Sequence, residues 1–102
     1  MNFGKMMKQA QQMQAKMAEI QEQLKDETVE ASAGGGTVTA VVTGDLQLQS
    51  ITIDPAAVDP EDVEFLEDMV TAAVNEALRS AQELAAQKMA AVTGGMNLPG
   101  LM

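Results

Sequence analysis

The sequence predicts an α+β protomer of order α-β-β-β-α, with a three-stranded antiparallel sheet between long, projecting N- and C-terminal helices. Three observations carry this prediction. An apolar stripe with heptad spacing runs from Phe3 to Leu24. Three short runs follow, the later two rich in β-branched residues, with glycine turns between them. A second, longer stripe begins after two Asp-Pro pairs, so the period changes from helical to strand-like and back.

In the first element, Phe3, Met6, Ala10, Met13, Met17, Ile20 and Leu24 recur at alternating steps of three and four, an a/d seam. No Pro or Gly interrupts it after Gly4, and Gln, Lys, Met, Ala and Glu favour helix. A helix over about residues 2–25 would be about 36 Å long.

The strands come next. In TVEASA, Val29, Ala31 and Ala33 alternate with polar residues, and Gly34–Gly36 form a turn. TVTAVVT is the second strand, Gly44-Asp45 the next turn, and LQLQSITI the third strand. The alternation slips between Leu48 and Ile51, which predicts a bulge near Gln49–Ser50.

Asp54-Pro55 and Asp59-Pro60 each read as an N-cap followed by Pro at the first helical position. The first should open a single turn and the second the main helix. Val63, Leu66, Val70, Ala73, Ala77, Ala81 and Leu84 form its buried stripe. The pattern runs to about Val92, where Gly94-Gly95 should stop it. Such a helix, about 50 Å long, is longer than a small sheet can cover, so its end should project or pack on a partner.

The whole of 1–102 reads as one domain: helix 1–26, meander 28–53, turn and helix 55–93, tail 94–102. The uncharged ending MNLPGLM reads as a frayed end or a docking peptide. The apolar side chains are mostly Ala, Val, Met and Leu, which give a thin core at this length and point to an oligomer. No run nears the roughly 20 apolar residues of a membrane span, and no signal-peptide core is evident. With no Cys, a reducing cytoplasm is the expected location.

Catalysis is not expected, because His and Cys are absent and no other nucleophile–base pair stands out. No cofactor, metal or small-molecule substrate is implied. Glu61, Asp62, Glu64, Glu67 and Asp68 lack a calcium-loop pattern and complement a helix dipole instead. Gly34–Gly36 is followed by neither helix nor Lys, which excludes a phosphate loop.

Net charge is −9, unevenly distributed. Residues 1–18 carry Lys5, Lys8 and Lys16 and no acid, whereas residues 45–76 carry acids and no base. At 100° per residue the three lysines fall within about 80° of arc, opposite the stripe, with Gln12 between them. Lysines there can contact phosphates, and Gln12 a phosphate or a base edge. A merely solvated helix face would look the same. Lys88 occupies a stripe position four residues after Leu84, while Arg79 falls on the solvated side. A helix that has left the core, or a snorkelling lysine, would explain Lys88. Met6, Met13 and Met17 suit packing within the protein or a pliable partner-binding surface.

The stretches KMMKQAQQMQAKM, GGGTVTAVVTGDLQLQSITID and DPEDVEFLEDMVTAAVNEALRSAQE, with the ending KMAAVTGGMNLPG, resemble the YbaB/EbfC family of bacterial nucleoid-associated proteins. The likeness runs nearly end to end. It implies a tight, tweezer-like homodimer that binds double-stranded DNA with little sequence specificity, organises or bridges the chromosome in the nucleoid, and bears on gene expression or repair. It implies contacts from helical residues, here Lys5, Lys8, Gln12, Lys16, Arg79 and Lys88. A dimer would carry twice −9, or −18, so binding should be weak and salt-sensitive. The alternative is an acidic adaptor for replication or recombination proteins.

Overall fold

The computed structural model describes residues 2–95. The elements are helix α1 (Phe3–Asp26), strands β1 (Thr28–Ala33), β2 (Val38–Thr43) and β3 (Leu48–Ile53), a 3₁₀ turn (Pro55–Ala57) and helix α2 (Val63–Gly95). The strands form one antiparallel sheet of order β1-β2-β3. The readings made for the tail beyond Gly95 lie outside the described residues.

Local chemistry sets most boundaries. The Asn2 side chain caps α1 by accepting from the Lys5 N–H at 3.1 Å. Three consecutive glycines with φ of 65°, 69° and 97° turn β1 into β2. Val41 pairs with Ser50 and Val42 with Leu48, leaving Gln49 as the extra residue of the expected bulge.

Three boundaries differ from the sequence expectation. β3 starts at Leu48 rather than Leu46, because Thr43 N–H donates to the Gln47 carbonyl and Leu46 (φ 67°) belongs to that turn. Asp54 caps the 3₁₀ turn as expected. Asp59, however, caps a turn over Pro60–Glu61, and Asp62 Oδ1 accepts from the Phe65 N–H at the true helix start. At the other end, helical backbone continues through Gly95 rather than stopping near Val92.

The core lies between α2 and the sheet. Ala73, Ala77 and Ala81 pack on Val38, Ala40 and Val42, all fully buried. Small residues on both surfaces let helix and strands approach closely. On the opposite face of the sheet the Ser32 and Thr39 hydroxyls pair at 3.2 Å. β3 lies mostly outside this core: Leu48 and Ile51 share the side of the sheet that α2 covers, yet remain exposed.

The two ends of the molecule differ. Gly34, at the β1–β2 turn, sits beside Met69 near the start of α2. Gly44, at the opposite end of β2, donates to the carbonyls of Leu24 and Glu27 at 2.9 Å each and so anchors the end of α1. Beyond this point α1 runs alongside the last turns of α2, where Ile20 and Gln23 meet Ala91 and Val92 across a groove of about 330 Å³. The molecule measures 71 × 26 × 16 Å, with a radius of gyration of 19.7 Å. A compact chain of this length would have about 13 Å.

Candidate nucleic-acid interface

Among the described residues, the first half of α1 stands clear of the body. Of its heptad stripe, only Ile20 and Leu24 are buried; Phe3 is 73% exposed, and Met6 and Met17 are exposed as well. The helix is rooted by its last two turns. Its free portion carries Lys5 and Lys8, both exposed and without a side-chain partner among the described residues. Gln12 is exposed between them and Lys16. Lys16 Nζ lies 3.9 Å from Glu19, a loose pair across one helical turn that water and salt weaken. Four residues, Lys5, Lys8, Gln12 and Lys16, are therefore brought together on one exposed strip.

Arg79 and Lys88 are not part of that strip. Arg79 grips Glu76 with two donors, its Nε at 3.2 Å, and bonds Glu83 one turn later. The hydrogen bond from Arg79, and then its charge, hold the Glu76 carboxyl below its ordinary range. The same partnership raises the guanidinium, with Glu76 contributing most and Glu83 adding to it. Arg79 is thus already committed to carboxylates on an acidic helix face. Lys88 donates to Glu27 Oε1 at 2.7 Å, across the junction of α1 and α2. Of the two sequence readings of Lys88, a helix that has left the core or a lysine snorkelling along apolar surface, the first does not hold, because this stretch of α2 packs against α1.

Sequence reasoning missed two participants at the root of α1. They are Glu27, which no sequence pattern singles out, and Gly44, which the sequence marks only as a turn residue. Neither has a local signal, because their partners are distant in the chain: Lys88 for the first, Leu24 for the second. Glu27 Oε2 is buried and has no hydrogen-bond partner among the described residues. No helix among the described residues is long and apolar enough to cross a membrane.

Comparison with known proteins adds an independent finding. Residues 1–96 match the YbaB/EbfC DNA-binding family. A nucleoid-associated protein of Thermoanaerobacter sp. (strain X514) is 57% identical over 100 residues, covering 98% of this chain and 90% of its own. One from Moorella thermoacetica is 58% identical over 99 residues, covering 97% and 95%. The crystal structure of an uncharacterized protein from Helicobacter pylori aligns with a TM-score of 0.75 over 85% of this chain and 91% of that one. At 23% identity, that likeness speaks for the fold alone.

Proposed function

This chain belongs to the YbaB/EbfC DNA-binding family, and from that premise we propose that it is a non-catalytic, nucleoid-associated protein of the cytoplasm that binds double-stranded DNA through the free half of α1. The observation that carries this reading is the exposed strip of Lys5, Lys8, Gln12 and Lys16 on an arm that has no acid before Glu19. Ammonium groups on such an arm replace counterions along the phosphate backbone and read little sequence. Arg79 enters only as a secondary contact, because it would have to exchange its carboxylate partners for a phosphate.

The acting species is a homodimer. Accessible surface is 7207 Å², against about 5,500 Å² for a compact monomer of 10.8 kDa. The excess is larger than the roughly 800 Å² a protein gives to a standard interface. The exposed stripe of α1 and the uncovered Leu48 and Ile51 are apolar surface that a second copy would cover. Two arms on one dimer can engage one duplex with avidity, or two duplexes as a bridge.

The test is fluorescence anisotropy of a labelled random-sequence duplex at about 50 and about 200 mM salt, where each lost phosphate contact removes roughly 0.9 from the log–log slope. The wild type should bind, weaken steeply with salt, and lose binding when Lys5, Lys8 and Lys16 are changed to Glu. A wild type that stays unbound at the lower salt overturns the proposal.

A further inference from the structure

We propose that Lys88 and Glu27 form a brace that sets the direction of the arm, which makes Lys88 a positioning residue rather than a phosphate contact; the consequence for DNA rests on the function proposed above. Glu27 is the single residue between α1 and β1. Three bonds converge on it. Its N–H donates to the Leu24 carbonyl at 3.3 Å, its carbonyl accepts from Gly44 N–H at 2.9 Å, and its Oε1 accepts from Lys88 Nζ at 2.7 Å. The helix, the β2–β3 turn and α2 are thereby tied to one residue at the root of the arm.

Lys88 and Glu27 are 61 positions apart in the chain, and their side chains are 29% and 39% exposed. The other ion pairs among the described residues join positions three or four apart on one helix, with both side chains more exposed. Local pairs of that kind stiffen a helix slightly. The pair between Lys88 and Glu27 instead fixes one helix against another. Since Glu27 Oε2 is buried and unpartnered among the described residues, removing Lys88 leaves a part-buried carboxylate without its compensating charge. The arm should then open at its root, where Lys16, Ile20 and Lys88 line the groove between the helices.

The experiment has two readouts on the full chain: wild type, Lys88→Met, Glu27→Gln, and the double swap Glu27→Lys/Lys88→Glu. Hydrogen exchange on the protein alone reads the brace without any DNA. Both single variants should speed exchange at the end of α1 and at the Gly44 amide, and the swap should restore protection. Salt-dependent anisotropy reads the consequence. Both single variants should weaken DNA binding by a similar factor, about three- to tenfold, with the salt slope unchanged and the swap recovering affinity. Unchanged exchange in Lys88→Met overturns the brace. So does a slope that falls by roughly 0.9 in Lys88→Met while Glu27→Gln binds as well as wild type, since that marks a phosphate contact. A wild type that binds no DNA overturns the proposed function, and the exchange data then judge the brace by itself.

Discussion

A Cβ on Gly44 would lie 2.6 Å from the Leu24 carbonyl oxygen and 2.8 Å from its side chain. The turn can approach α1 only because nothing projects there, and the two hydrogen bonds that anchor the arm depend on that approach. Gly44→Ala should therefore cost about 2–3 kcal/mol, read from the midpoint of urea denaturation. Gly35→Ala is the useful contrast, with φ of 69° but open space around it. Its cost should be about 1 kcal/mol, for the left-handed backbone alone. From the sequence both glycines are turn residues of equal weight. What separates them is a tertiary neighbour 20 positions away, which no local pattern reports. The candidate contacts divide in the same way. The strip on α1 was legible from helical periodicity, whereas the engagement of Lys88 by Glu27 needed the fold.

At the scale of elements, the helix–sheet core rests on three alanines, Ala73, Ala77 and Ala81, facing Val38, Ala40 and Val42. Ala77→Leu should overpack this layer and destabilise by about 1–3 kcal/mol, checked by denaturant titration. The apolar spacing of α2 located this face from Leu66 to Leu84, but Val63, expected in the same stripe, is exposed because it lies at the very start of the helix. Strand alternation found the sheet and its bulge at Gln49. The spacing of α1 was equally regular but meant something different. Its stripe predicts a partner surface without saying whose, and in the protomer only Ile20 and Leu24 find one. The start of α2 was misplaced for a physical reason: Asp59, Asp62 and Pro60 all carry cap chemistry, and only the backbone path decides which acid sits at the first free N–H groups.

At the scale of the molecule, the extended shape follows from that surplus of apolar helix surface. A protomer so thin should gain much of its stability from pairing, so the midpoint of thermal unfolding should fall when the protein is diluted. Sedimentation equilibrium over the same concentrations should give twice 10.8 kDa at the upper end. A single-protomer mass throughout, with a concentration-independent midpoint, would remove the dimer.

The two ends of the 71 Å axis have one further consequence. The Asp54–Asp68 stretch is acidic and sits at the β1–β2 turn end, while the lysine arm leaves from the other. The protomer is therefore an electric dipole as well as a net anion. Near a polyanion the net charge pushes it away, but the separation of charge exerts a torque that swings the arm forward, as a compass needle turns without being pulled. Protomers paired with their arms on the same side add their dipoles, and protomers paired antiparallel cancel them. In the proposed dimer, the way two copies meet would decide whether a duplex is approached arm first or at random.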